Sequence, residues 1–187
     1  MLDRREFVKE LLADRGGLLV VGGLGSATYD MAAAGDHPLN FYLWGAMGGT
    51  AMIGLGLALA RPDRRVAVLT GDGDMLMGIG SLATIGVKQP RNLAIVVLDN
   101  AHYGETGMQP SATKSGIDLV ATALACRFKQ ARAVSRIEEA AGVRELLHSG
   151  EGPLLVSARI KEEDVPRVLP IRDGHVIKNR FIEALKP

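Results

Sequence analysis

The segment Val66-Ala67-Val68-Leu69-Thr70-Gly71-Asp72-Gly73-Asp74 decides how the chain is read. Its first five residues form a continuous apolar run with no alternation, the pattern of a strand buried on both faces. A glycine turn follows, and then a helical pattern over residues 75–88. Leu18-Leu19-Val20-Val21, residues 93–98 and residues 154–158 repeat the strand pattern. Helices are expected at residues 4–13, 47–60, 117–125, 135–148 and 176–185. The βαβα order predicts an α/β fold: a doubly wound, mostly parallel sheet with helices on both faces.

Composition narrows the function classes. Lys and Arg number 22 against 21 Asp and Glu, a net charge of +1 that gives no broad footprint for nucleic acid or an anionic membrane. The lone Cys126 excludes an internal disulfide, a cysteine zinc site and a cysteine-ligated cluster, and suggests a reducing, cytoplasmic setting. The longest apolar stretch, residues 47–60, falls short of the roughly 20 residues of a membrane span. No signal-peptide pattern, repeat or linker is visible. Residues 1–187 are expected to form one domain. With 23 glycines and only 4% aromatics, the core must rely on aliphatic side chains and close backbone packing. Gly48, Gly49, Gly54 and Gly56 in one expected helix imply a packing demand, within the domain or across an interface.

The chemistry concentrates where expected strands end. Gly71 and Gly73 permit a tight turn and close ligand approach, and a following helix offers free N–H groups that suit a phosphate. Asp72 beside an anion calls for a divalent cation, and Mg2+ shares hard oxygen ligands with phosphates. Asp99 follows Gly73 by 26 positions and ends the next expected strand, with Asn100 after it. One helix and one strand fit between, so Asp72 and Asn100 can meet at one sheet edge. The aperiodic stretch from Ala101 to Ser115, also following a strand, belongs to the same edge.

Gly71-Asp72-Gly73 with Asp99-Asn100 resembles the diphosphate-binding signature of thiamine diphosphate (ThDP) enzymes. The family usually has Asn where this chain has Asp99. The resemblance implies that Asp72 and Asn100 give side-chain oxygens to Mg2+ and that His102 gives its backbone carbonyl. Asp74 is expected to present its backbone N–H to the diphosphate and to cap the helix with its side chain. Leu43-Trp44-Gly45-Ala46-Met47-Gly48 resembles the segment that cups the aminopyrimidine in the 2-oxoacid decarboxylase branch. This implies Gly45 as carbonyl acceptor and Met47 as the apolar wedge that bends the cofactor, with Ala46 between them. Tyr103-Gly104-Glu105-Thr106-Gly107-Met108-Gln109 resembles a string shared by sulfopyruvate and phosphonopyruvate decarboxylases, and by the β subunits of 2-oxoacid:ferredoxin oxidoreductases. Tyr103 and Gly104 then belong to the cofactor site. Glu105 is either an acid/base or a solvated loop carboxylate.

The whole length is similar to the β subunits of sulfopyruvate decarboxylases. In that family the activating Glu lies on a separate pyrimidine-binding domain, which is not found in this sequence. A partner α subunit is therefore expected to carry it, in a hetero-oligomer with the active site between the chains. The implied reaction is non-oxidative decarboxylation of a 2-oxo acid. For 3-sulfopyruvate this would fit coenzyme M synthesis or cysteate breakdown. Three alternatives stand beside it: a phosphonopyruvate decarboxylase β subunit, a ferredoxin-linked oxidoreductase β subunit, and a non-catalytic subunit that has kept the fold.

Overall fold

The computed structural model describes residues 1–186. In chain order its elements are α1 (Arg4–Leu12), β1 (Leu19–Gly22), α2 (Ser26–Ala33), β2 (Asn40–Tyr42), α3 (Thr50–Ala60) and β3 (Val66–Gly71). Next come α4 (Asp72–Met77), α5 (Ser81–Lys88), β4 (Leu93–Asp99), β5 (His102–Tyr103), β6 (Gln109–Pro110) and α6 (Leu119–Ala125). The last four are β7 (Gln130–Val134), α7 (Ala140–Ser149), β8 (Leu154–Arg159) and α8 (Gly174–Ala184).

Six strands form one sheet in the order β2-β1-β3-β4-β8-β7, parallel throughout. Alternate residues of each strand serve opposite faces, as the two-residue period of a strand requires. Ala67 and Leu69 of β3 face a core built with Phe7, Leu11, Met31, Val143 and Leu147 of α1, α2 and α7. Val66 and Val68 face the other core, with Leu55, Leu82, Ile85, Leu119 and Phe181 of α3, α5, α6 and α8. Both faces are covered, which is why the strands carry unbroken apolar runs.

The sequence missed three elements of this scaffold. β2 has three residues and starts with Asn40, which reads as loop; burial of Arg15 against Asn40 and the carbonyls of Leu18 and Leu39 holds it in place. β7 is an edge strand, mostly exposed, so its pattern is polar. α2 carries a weak amphipathic signal because residues around its whole first turn are buried.

Two expected helices are corrected. The helix expected from residue 47 starts at Thr50, because Ala46 takes a left-handed conformation (φ +57°) and Gly48 another (φ +85°). The helix expected over 75–88 is two, α4 and α5, separated at Gly78-Ile79-Gly80. There the Gly48 backbone crosses so closely that a Cβ on Gly78 would lie 2.1 Å from the Gly48 carbonyl oxygen. The glycines of α3 divide in role. A Cβ on Gly54 would stand 2.2 Å from the Val68 side chain, so this helix rides directly on β3. Gly56 meets nothing within 4 Å and faces outward beside exposed Met52, Ile53 and Leu59.

Candidate active site

β1 has β2 on one side and β3 on the other, so the sheet order reverses at β1/β3, and a crevice opens beyond their carboxyl ends. β3 and β4 run side by side in a register that places Gly71 against Leu98. Asp72 and Asn100 therefore emerge together and line one cleft of about 150 Å3. The same cleft is lined by Gly71, Gly73, Asp74, Met47, His102, Tyr103, Gly104 and Glu105. Gly45 and Ala46, expected at the cofactor, do not line it. The left-handed turn at Ala46 carries the chain past and returns Met47 to the cleft wall.

Asp72 is the first residue of α4 and is 1% exposed. One carboxylate oxygen, Oδ2, accepts from the Ser111 hydroxyl at 2.5 Å and sits 3.3 Å from the Thr113 hydroxyl. Burial pushes its carboxyl above the usual carboxylate range; the Ser111 hydrogen bond opposes this, and the nearby Asp99 charge adds to it. Ser111 and Thr113 were not singled out from the sequence. They follow Pro110 in a stretch with no periodicity, and only the β5/β6 hairpin brings them back over Asp72.

Asp99 stands where the resemblance leads one to expect Asn, and its surroundings account for the carboxylate. Oδ1 accepts from the Ala101 N–H and the Thr113 hydroxyl, both at 2.9 Å, and Oδ2 accepts from Arg159 at 2.9 Å. A guanidinium thus balances the charge that Asn would lack. Asn100 uses Oδ1 to accept the His102 N–H at 3.0 Å, which shapes the turn into the hairpin. His102 lies opposite Pro110, which has no N–H to offer its carbonyl. Its ring lies back on the Asn100 carbonyl and 3.7 Å from Glu162, away from metal ligation.

Asp74 corrects an expectation. It does not cap its helix; α4 has no side-chain cap. Its carboxylate instead accepts from the Gly48 N–H at 2.5 Å, the Thr50 hydroxyl at 2.6 Å and the Thr70 hydroxyl. It clasps the Met47 loop and the start of α3 to the end of β3. A Cβ on Gly73 would strike the Tyr103 ring at 2.6 Å and approach the Met47 methyl at 3.5 Å, so both side chains roof the glycine turn. Asp74→Ala would leave buried donors without an acceptor. The expected loss is about 2–4 kcal/mol of folding stability by urea denaturation. Asp74→Asn, which keeps an acceptor, should lose less.

Glu105 lies at the solvent side of the cleft over Gly25, and its carboxylate pairs with Arg167 at 3.4 Å. Arg167 belongs to residues 161–173, a strap without helix or strand. The strap also accepts from Arg5 at the Pro166 carbonyl and from the Trp44 indole at the Ile171 carbonyl, and stacks Arg172 over Trp44. Among the described residues no group of three His, Cys, Asp or Glu side chains is placed to hold a metal ion. The oxygens at hand are one carboxylate, one amide and one backbone carbonyl. A hard cation would fill its remaining positions from an oxygen-rich ligand such as a diphosphate.

The fold and this site define a ThDP-binding domain. Residues 22–158 match the family described as thiamine pyrophosphate enzyme, C-terminal TPP binding domain, and the chain belongs to that family. Subunit beta of sulfopyruvate decarboxylase from Methanothermobacter thermautotrophicus is 36% identical over 100% of this chain and 97% of its own length. Phosphonopyruvate decarboxylase from Streptomyces viridochromogenes is 36% identical over 81% of this chain, which spans only 39% of that protein. The X-ray structure of a Mycobacterium smegmatis protein assigned as a thiamin diphosphate-dependent enzyme shares the fold, with a TM-score of 0.68 at 20% identity. That match covers 84% of this chain and 32% of the other. Among the described residues no helix is long and apolar enough to cross a membrane.

Proposed function

We propose that this chain is the β subunit of a ThDP- and Mg2+-dependent sulfopyruvate decarboxylase, which converts 3-sulfopyruvate to sulfoacetaldehyde and CO2. The observation that carries this reading is the mutual coverage with the methanogen β subunit, 100% of this chain and 97% of the relative. ThDP, when bound, supplies the electron sink that makes loss of CO2 from a 2-oxo acid possible. Asp72, Asn100 and the His102 carbonyl hold the Mg2+ that anchors its diphosphate against the Gly71–Asp74 turn. Met47, roofing that turn with Tyr103, shapes the pyrimidine side; Gly45 and Ala46 support the loop, and Gly104 leaves room at the hairpin. Glu105, at the mouth, is assigned proton transfer to the product carbon.

A partner α subunit carries the pyrimidine-binding domain and its activating Glu, and the complex works in the cytoplasm. Outward-facing apolar residues support a covered surface: Met52, Ile53 and Leu59 on α3, Met77 at the end of α4 and Val87 on α5. This chain alone is expected to release no CO2. Co-expressed with its α subunit and supplied with ThDP and Mg2+, it should release CO2 from 3-sulfopyruvate in preference to phosphonopyruvate and pyruvate. Turnover by the lone chain would place the whole active site here. Preference for phosphonopyruvate would move the substrate and keep the cofactor chemistry.

A further inference from the structure

Arg4 has no role in the reading above. It is the first residue of α1, only 5% exposed, yet it lines the cleft and also an adjoining cavity of about 130 Å3 under the strap. Among the described residues it is the only Lys or Arg lining the cleft. Its Nε lies 3.4 Å from Asp30 Oδ2, and no hydrogen bond engages its guanidinium among the described residues. Neighbouring guanidiniums are occupied. Arg5 donates to Asp30 Oδ1 at 2.9 Å and to the Pro166 carbonyl, and Arg167 pairs with Glu105. Asp30, fully buried, thus faces two guanidiniums with one carboxylate. Arg4 Nε and Asp30 Oδ2, both buried and without a hydrogen bond, face each other as an ion pair. The Nη groups of Arg4, with four N–H donors, have no acceptor among the described residues, and the surplus charge they carry suits an anion.

We propose that Arg4 is a specificity-determining residue that receives the acidic group at the far end of the substrate, its planar fork taking two oxygens of a sulfonate or phosphonate. The proposal rests on the decarboxylase reading. The position suits it. Arg4 lines the space where cleft and cavity join, in common with Ser26, Asn100, Gly104 and Glu105. Glu105, Glu163, Asp164 and Arg167 line the same cavity as exposed residues, Glu105 paired with Arg167, and Arg4 is the buried charge there.

The test uses the assembled two-chain enzyme with Arg4 as found, Arg4→Lys and Arg4→Gln. Steady-state kinetics on 3-sulfopyruvate are run beside ThDP titration followed by intrinsic fluorescence. Loss of a charged, bidentate contact in Arg4→Gln should raise KM about tenfold or more, with a smaller change in kcat. Arg4→Lys keeps the charge and the pairing with Asp30, so it should fold where Arg4→Gln fails, and it should raise KM severalfold for want of the fork. In both, ThDP affinity should hold. A KM unmoved in Arg4→Lys overturns the proposal. So does weakened ThDP binding with KM unmoved, which would make the diphosphate the anion. A wild-type complex that binds ThDP and leaves both 3-sulfopyruvate and phosphonopyruvate untouched fails before any variant is compared; that result removes the decarboxylase reading, and this proposal with it.

Discussion

Asp72→Asn is expected to separate stability from function in opposite directions. In the assembled enzyme, exchanging the one carboxylate among the proposed Mg2+ donors for an amide should weaken Mg2+-dependent ThDP binding about 100-fold. Without cofactor the same change should raise the melting temperature at neutral pH. Burial lifts the Asp72 carboxyl above its usual range, helped by the Asp99 charge and only partly opposed by Ser111. A carboxyl whose folded pKa lies above its unfolded value binds its proton more tightly in the folded state. Its contribution to stability is therefore fullest in acid and declines as pH rises through the folded value. Asn carries no charge to bury and still accepts from Ser111. The gain over wild type should grow from acid to neutral pH in cofactor-free calorimetry. Adding Mg2+ and ThDP should reverse the order, since only wild type gains ligand stabilisation. Equal melting at neutral pH together with intact ThDP affinity would remove Asp72 from the metal site.

Gly78→Ala is expected to cut activity severely from a position that does not line the cleft. The new methyl would stand 2.1 Å from the Gly48 carbonyl oxygen and 2.8 Å from its carbonyl carbon. Backbone meets backbone there, so no side chain can rotate away. Either the Met47 loop or the α4–α5 break must shift by about 1 Å to restore ordinary contact, and packed interiors resist that. Movement of the loop pulls the Gly48 N–H from Asp74 and lifts Met47 from the glycine turn. We expect a loss of about 2–4 kcal/mol in stability by denaturant titration, of the size seen for overpacking plus a broken buried hydrogen bond. At low temperature, where the fold persists, turnover should fall about 100-fold, the effect of a 1 Å misplacement. Gly56→Ala is the control for stability of the isolated chain: it lies on the outward face of α3 with nothing within 4 Å, and helix propensity favours Ala there. Activity equal to wild type in Gly78→Ala would show that the loop tolerates the shift.

The fold's centre was legible because four strands announce themselves chemically. β1, β3, β4 and β8 are apolar on both faces, and the structure extends or trims each by about one residue. Asp72 and Asn100 were legible because a strand end fixes where a side chain emerges, and two adjacent strand ends fix two. β7 was hidden at one sheet edge, where it is mostly exposed and apolarity is not demanded, and β2 at the other edge is largely buried but only three residues long and opens with the polar Asn40. Ser111, Thr113 and Arg4 escaped for another reason. Each is brought to the cleft by contacts distant in the chain, across the hairpin or around α1, and no local pattern marks such an arrival. Asp74 was misread because a carboxylate at a helix start usually caps it; here a neighbouring loop offered better donors.

The way α1 and β8 meet also bears on biosynthesis. Leu2 bridges to Ile160 just beyond β8, and β8 itself inserts between β4 and β7 although it is made after both. A nascent chain halted before residue 154 has its first residues waiting for a strand not yet translated, and β4 with one edge bare. Such long-range closure is slow and leaves strand edges open in the interim. The cleft, whose walls include both Arg4 and Ile160, is thus among the last features to take shape on the ribosome.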